Sequence, residues 1–308
     1  MSYLKEKDEE NSNKHLAGII ATNSQPMDFD FPWHDSMIPI APGFLAIERA
    51  VLECATAGCD TIWIVCSAGF IPLIRHKLGD AVIDPENYLN QYIRFKKELR
   101  REISIYYIAV HPRDVDKRDS IVWNILYGCR TAARISNGVS KWIIPEKYYI
   151  CLPNVVYPSQ IIIKYRQEIR DNDRCLISFV NKTILNGKPY ACTITNSEVK
   201  FLIKEFRDQA TGQYDGSILH GELGIPKTRL PIDKRYSGRF LTLKDVFEKL
   251  PCVENTTIIN LPWAYNLDSF DNMCEYLGSE HRKLMHRPKT PLIRYKEFDG
   301  IASENTKK

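Results

Sequence analysis

Residues 44–67 read FLAIERAVLECATAGCDTIWIVCS, and this stretch decides the fold. In its first half, Phe44, Ile47, Val51 and Cys54 recur at the spacing of one helical face, and Gly58 is a typical residue for the end of a helix. The second half is a short continuous apolar run, which is typical of a buried strand in a parallel sheet. The stretch therefore predicts a helix that leads directly into a buried parallel strand.

The same alternation of strand and helix extends to both sides of this stretch. The strand candidates are LAGIIAT (16–22), ISIYYIAV (103–110), KYYICLPN (147–154) and RCLISFVNKT (174–183), and the helix candidates are SIVWNILYGCRTAAR (120–134) and SQIIIKYRQEIRD (159–171). Such alternation predicts an α/β fold, with a mainly parallel, Rossmann-like sheet flanked by helices and joined by right-handed crossovers.

Shorter elements follow residue 180. The strand candidates are YACTITN (190–196), VKFLIKEF (199–206), YSGRFLTL (236–243) and TTIINL (256–261), and the helix candidates are LKDVFEKL (243–250) and DSFDNMCEYLGS (268–279), the last with Asp268 or Ser269 as its cap. These elements predict a small antiparallel extension of the sheet. We predict one domain over residues 15–280, a mobile polar tail over 1–14, and a basic segment with a tail over 281–308.

The composition limits the classes of function. The chain has 308 residues, 44% of them hydrophobic, and a net charge of +4. No apolar run is long enough to cross a membrane and the first residues are charged, so we expect neither membrane insertion nor secretion. The net charge is too small to indicate a nucleic-acid partner. The nine cysteines include no C-x-x-C pair, which indicates buried thiols in a reducing compartment, with the cytoplasm as the expected location.

Several segments, in order along the chain, carry a family resemblance. In SMIPIAPG and the helix after it, Met37, Pro39 and Ile40 match a Pro-Lys-x-Met-Leu-Pro-Ile motif, and Ala57 and Gly58 match an Ala-Gly helix end. YYICLPN, YACTITNSEVKFLIKEF, YSGRFLTLKDVFEKL and YNLDSFDNMCEYL match later segments of the same family. The chain thus resembles the sugar-1-phosphate nucleotidyltransferases, also called nucleotide-sugar pyrophosphorylases, and in particular the UTP–glucose-1-phosphate uridylyltransferases.

This resemblance implies a GT-A-type fold and a specific reaction. In the family, an oxygen of a sugar-1-phosphate attacks the α-phosphorus of an NTP in line, and pyrophosphate leaves. The resemblance therefore implies an NTP and a sugar-1-phosphate, or a nucleotide sugar, as partners, and Mg²⁺ as the cofactor where the reaction runs. From the composition we expect no nucleic-acid and no membrane partner, and a homo-oligomer is left open.

The segment ATNSQPMDFDFPWHD (21–35) occupies the position of the family's phosphate loop. TNSQP replaces the family's glycines, and the family's Lys position falls on Asp35, which becomes a candidate catalytic position. Together with Asp28 and Asp30 the segment carries three carboxylates and no Lys or Arg, so it would repel a triphosphate. We expect this loop to have become a packed lid or an interaction surface.

The nucleotide-binding candidates lie at strand ends and at one helix start. Ala21 and Thr22 lie at the end of the first predicted strand, and His111 falls where relatives have a Gln that hydrogen-bonds the base. A solvated histidine at the strand end is an equally good interpretation of His111. Ser120 begins the helix that faces the nucleotide in the family. Trp123 stands where the family has small residues, and we expect it to pack in the core.

The metal and sugar-phosphate candidates also depart from the family pattern. The first metal aspartate of the family corresponds to Asn154, and the second to Asp268 or Asn266. Asp268 is equally well interpreted as a helix cap. The family's Glu-Lys pair falls on Glu205 and Phe206, so Glu205 is the second candidate catalytic residue.

Three interpretations of function remain open. The first is an active nucleotidyltransferase with a divergent loop. The second is a pseudoenzyme that keeps the fold to bind a sugar nucleotide or a protein partner. The third, which the sequence favours least, is a GT-A-type glycosyltransferase whose metal-binding Asp-x-Asp would be Asp28-Phe29-Asp30.

Overall fold

The computed structural model describes residues 15–22, 34–86, 101–112, 114, 118, 120–140, 143–212, 218–220, 226–229, 238 and 241–294. Its strands are β1 (Leu16–Ala21), β2 (Pro39–Ala41), β3 (Phe44–Leu45), β4 (Thr61–Cys66), β5 (Ala81–Ile83), β6 (Glu102–Ala109), β7 (Lys147–Cys151), β8 (Val155–Val156), β9 (Arg174–Ser178), β10 (Cys192–Thr195), β11 (Ile218–His220), β12 (Pro226–Arg229), β13 (Thr256–Asn260), β14 (Tyr265–Asn266) and β15 (Leu292–Ile293). The helices are α1 (Ala46–Thr56), α2 (Ile71–Leu78), α3 (Ile121–Val139), α4 (Arg166–Asp171), α5 (Asn196–Gly212), α6 (Leu243–Phe247), α7 (Phe270–Gly278) and α8 (His281–Leu284).

Nine of these strands form one sheet, in the order β13-β9-β10-β7-β1-β4-β6-β5-β15. β7, β1, β4 and β6 run parallel to one another, as do β9 and β13. β10 lies antiparallel between β7 and β9, and β5 lies antiparallel between β6 and β15. The predicted mainly parallel sheet with an antiparallel part is therefore confirmed.

Helices cover both faces of the sheet, as predicted. On one face, α1 packs through its buried residues Ile47, Val51 and Cys54, three of the four positions that the helical spacing selected. The fourth, Phe44, is buried in the same core but lies in β3, just before the helix. Gly58 follows α1 with φ of 86°, a left-handed conformation that ends the helix at little cost only for glycine. On the other face, α3 and α5 cover the sheet.

Residues 199–206 were predicted to be a strand, and that prediction is wrong because they lie within α5. Val199, Leu202 and Phe206 are buried while Lys200 and Lys204 are not, which is a helical rather than an alternating pattern. The segment 159–171 begins as a 3-10 helix, Ser159–Tyr165, before α4. Half of the predicted strand at 236–243 lies outside the described residues, and its last residues are not a strand but lead into α6, which begins at Leu243.

The chain after residue 280 also contributes to the sheet, since β15 pairs with β5. Its basic residue Arg287 and Lys77 of α2 both reach the buried carboxylate of Glu48, with N–O distances of 3.3 and 3.7 Å. All nine cysteines are free thiols, and seven of them are buried. In the described part of the chain, no helix combines the length and the apolar character needed to cross a membrane.

Candidate functional site

The carboxyl ends of the parallel strands form one edge of the sheet, and several predicted site residues lie along it. β1 ends at Ala21, and the next residue, Thr22, donates both its N–H and its hydroxyl to the carbonyl oxygen of Val65, each at 3.0 Å. His111 follows β6 and Asn154 follows β7. Since β6, β4, β1 and β7 are neighbours and run parallel, His111 and Asn154 lie at the same end of the sheet, on strands about 14 Å apart.

The N-terminus of α3 points to the same edge. Ser120 is its N-cap, with the side-chain oxygen accepting the N–H of Trp123 at 3.3 Å. One turn further, the buried Asn124 donates its amide N–H to the carbonyl oxygen of Thr22 at 3.0 Å, which ties the start of this 19-residue helix to the end of β1. The positive end of the helix dipole therefore lies where an anion would bind. Trp123 is 2% exposed and lies 5.1 Å from the ring of Phe206, so its predicted role in packing is confirmed.

Asn154 and Asp268, the two predicted metal ligands, are joined through one residue. The amide nitrogen of Asn154 donates to Asn266 at 3.1 Å, and the amide nitrogen of Asn266 donates to Asp268 at 2.6 Å. The second carboxylate oxygen of Asp268 accepts from Asn272 at 2.8 Å. The cap of α7 is Ser269 rather than Asp268. The antiparallel pairing of β8 with β14 brings these distant segments together.

The donor set at this network fits a weakly held Mg²⁺ ion. The side-chain oxygen of Asn154 and the carboxylate of Asp268 are hard oxygen donors, and a carboxylate has about four acceptor positions, of which two are used here. Mg²⁺ commonly takes one or two protein carboxylates and completes its shell with water and substrate phosphates. Within the residues that the structure describes, no cluster of three or more His, Cys, Asp and Glu side chains could hold a metal by itself.

A fully buried ionic network supports the strand end that carries Asn154. Arg49 of α1 pairs with Glu53 one turn later and donates to the carbonyl oxygen of Leu152 at 2.8 Å. The carboxylate of Glu53 also accepts the hydroxyls of Tyr149, at 2.8 Å, and Tyr157. Burial would lower the pKa of the Arg49 guanidinium, but the neighbouring Glu53 carboxylate raises it above its ordinary value. Burial and the same carboxylate raise the pKa values of both tyrosines. Through the hydrogen bond from Arg49 to Leu152, this buried pair fixes the backbone two residues before Asn154.

The two candidate catalytic residues lie on different elements, and each carboxylate has a partner of its own. Asp35 lies in the 3-10 helix Asp35–Met37, where its carboxylate accepts the N–H of Ser36 at 2.7 Å and lies 2.8 Å from the ring nitrogen of His34. This carboxylate is therefore engaged in local structure. Glu205 lies on α5 in the helical layer and pairs with Lys249 at 2.8 Å. The predicted placement of Glu205 at the end of a sheet strand is wrong, because its segment is helical.

Two lysines at the carboxyl edge were missed by the sequence analysis. Lys182 and Lys188 lie in the connection between β9, which ends at this edge, and β10, which begins there, and both are exposed. Val180 and Asn181 form the turn before Lys182 with positive φ values of 50° and 54°. A β-branched residue at positive φ is unusual and often marks a functional segment. The dipeptide Val-Asn gave no sequence signal for such a turn.

The structure describes only part of the predicted opening loop. Residues 23–33, including Asp28 and Asp30, lie outside the described residues, so the lid hypothesis and the Asp-x-Asp hypothesis stay predictions. The described residues on either side, Thr22 and His34, are buried.

Comparison with known proteins identifies the fold. A protein from Bacillus anthracis assigned as a glucose-1-phosphate thymidylyltransferase, solved in complex with sucrose, aligns over 89% of this chain and 98% of its own, with a TM-score of 0.52 and 10% identity. A UDP-glucose pyrophosphorylase complexed with UDP-glucose aligns over 88% of this chain and 100% of its own, with a TM-score of 0.48 and 11% identity. No protein-family profile and no curated protein sequence matches the chain. The first alignment confirms the resemblance seen in the sequence at the level of the fold, which is that of a sugar-1-phosphate nucleotidyltransferase.

Proposed function

We propose that this protein binds a nucleotide at the carboxyl edge of its sheet and transfers a nucleotidyl group to a sugar-1-phosphate. The observation that carries this proposal is the hydrogen bond from Asn124 to the carbonyl of Thr22, because it fixes the N-terminus of α3 against the end of β1. A helix N-terminus at the carboxyl ends of parallel strands is where nucleotide phosphates bind in open α/β sheets.

The residues at this edge suit separate parts of such a ligand. The backbone at Ala21 and Thr22 and the helix start at Ser120 suit the nucleotide. The imidazole of His111, at the end of β6, suits a hydrogen bond to a base carbonyl. The lysines that follow β9 supply positive charge for the phosphate of the sugar.

The reaction needs positioning and charge neutralisation rather than a covalent enzyme intermediate. An oxygen of the sugar-1-phosphate forms a bond to the α-phosphorus, and the bond from that phosphorus to the oxygen bridging the β-phosphate breaks, which releases pyrophosphate. Asn154 and Asp268 would hold Mg²⁺, which neutralises phosphate charge when it is bound. With one carboxylate and one amide as ligands we expect weak metal binding and slow turnover.

A second candidate function is binding without turnover. The observation in its favour is that the amides of Asn266 and Asn272 already occupy both oxygens of Asp268, while the amide nitrogen of Asn154 is donated to Asn266. Because these side chains hydrogen-bond one another, the network is held in place without a metal. A protein of this kind would be stabilised by a nucleotide sugar and would release no pyrophosphate.

Pyrophosphate release, followed with a coupled phosphatase, separates these functions. We expect slow release that requires an NTP, a sugar-1-phosphate and Mg²⁺ together, and that is lost in Asp268→Asn. The matched control is Asp271→Asn, an exposed carboxylate in the first turn of the same helix, which should leave the rate unchanged. Stabilisation by a nucleotide sugar without any pyrophosphate release would favour the binding function. The absence of both stabilisation and release would refute the proposal.

A further inference from the structure

A basic groove runs between α3 and α5 on the outer surface of the helical layer. It has a volume of about 470 Å³, and its floor includes the half-buried Ile144 and Ile203. Its rims carry Arg130 and Arg134 from α3, and Lys200 and Arg207 from α5. The groove belongs to the helical layer, and the predicted nucleotide-site residues at the carboxyl edge do not line it.

No residue that lines the groove neutralises its positive charge. Its ten lining residues are all described, and none of them is acidic. All four cations are exposed, and none forms an ion pair with another residue in the described ranges. Elsewhere on the surface basic side chains are paired, for example Lys249 with Glu205 on the neighbouring part of α5. Four uncompensated cations close together repel one another, and a partner with carboxylates would relieve that repulsion.

The shape of the groove favours a segment of protein over a small anion. The lining residues on α5 extend from Asn196 to Arg207, about 16 Å along the helix axis. Small-molecule sites are mostly apolar and enclose their ligand, whereas this groove is open and its cations are exposed. An apolar floor between two charged rims is the arrangement that receives an amphipathic helix, with apolar side chains on the floor and charged ones along the rims.

We propose that this groove binds an acidic amphipathic helix of a partner protein. Apolar residues of that helix at i, i+3, i+4 and i+7 contact Ile144 and Ile203, which are half-buried, and flanking glutamates or aspartates pair with the four cations. The proposal is independent of the proposed nucleotidyl transfer, since it uses none of the residues at the carboxyl edge.

The test uses a fluorescein-labelled synthetic peptide of about 14 residues, roughly four helical turns, with leucines at helical spacing flanked by glutamates. Fluorescence anisotropy with the full chain should show saturable binding that weakens as salt is raised. The double variant Arg134→Glu, Lys200→Glu should weaken binding by about tenfold or more, because two attractive contacts become repulsive. The control double variant Lys164→Glu, Arg282→Glu has the same net charge but changes exposed residues outside the groove, and its affinity should match that of the wild type.

Four results would overturn the proposal. These are no binding to the wild type, equal loss in the two double variants, equal binding of a scrambled peptide with the same composition, and displacement of the peptide by inorganic pyrophosphate at equal molar concentration. The last result would assign the groove to small phosphate-bearing anions instead. A far-ultraviolet circular dichroism spectrum of each variant shows whether it is folded before its affinity is used.

Discussion

The buried pair of Arg49 and Glu53 gives the sharpest prediction about stability. Both side chains are fully buried. Breaking a buried ion pair by removing one partner costs about 3–5 kcal/mol, because the other charge is left without compensation. We therefore expect Arg49→Met to lower the free energy of unfolding by about 4 kcal/mol, and Glu53→Gln by a similar amount.

The double variant should cost far less than the sum of the two single ones. Gln at position 53 keeps an acceptor for Tyr149 and Tyr157, and no charge then remains buried. What remains lost is the hydrogen bond from Arg49 to the carbonyl oxygen of Leu152. A buried acceptor left without a donor costs about 1–3 kcal/mol. The two single losses add up to about 8 kcal/mol, so the coupling energy between the two sites should be about 5–7 kcal/mol.

Equilibrium unfolding in urea, monitored by tryptophan fluorescence, measures all four free energies of this cycle. The exposed pair of Lys249 and Glu205 is the control, and its own cycle of Met and Gln substitutions should give a coupling energy below about 1 kcal/mol. If the Arg49 and Glu53 substitutions were additive within about 0.5 kcal/mol, the two side chains would not form a desolvated pair, and the reasoning would fail.

Three further predictions concern the metal site, the thiols and one glycine. Asn154→Asp should bind Mg²⁺ more tightly, seen as a larger rise in melting temperature with added Mg²⁺ than in the wild type, and an unchanged response would mean that this position does not hold the ion. In the native protein only Cys252 and Cys274 should react rapidly with a thiol reagent, and rapid labelling of any buried cysteine, identified by mass spectrometry, would contradict the described core. Gly79→Ala should lower the free energy of unfolding by about 2 kcal/mol or more, because φ is 81° and the added Cβ would lie 2.4 Å from the carbonyl oxygen of Ile293; a neutral result in urea unfolding would contradict the docking of β15.

The hydrophobic pattern of single segments predicted most strands of the sheet. It failed for residues 199–206, where a composition typical of strands occurs in a helix. The stretch 199–206 is short, apolar and contains Val199 and Ile203, so its composition favours a strand. Its burial follows the helical spacing because α5 lies on the sheet through one face only. The order of the sheet also needed long-range information, since β10 lies between β7 and β9 although it follows both in the chain.

The candidate site was predicted by position and not by contact. Thr22, Ser120 and Asn154 were chosen as ends of local elements, and the structure places all three at the carboxyl edge. The hydrogen bonds between these segments could not be predicted from local sequence, because Asn154 and Asn266 are 112 residues apart and Thr22 and Asn124 are 102 residues apart. The prediction placed Glu205 on a strand, and that placement was wrong because residues 199–206 lie within a helix.

A crystal structure of the protein soaked with UTP or dTTP and Mg²⁺ would show directly where the nucleotide binds. We expect electron density for a nucleotide at the carboxyl edge, with its phosphates near the N-terminus of α3 and with Asn154 and Asp268 beside the metal. Density for the nucleotide at any other surface, or an empty edge at saturating nucleotide with the residues after Thr22 folded across it, would refute a nucleotide site at this edge.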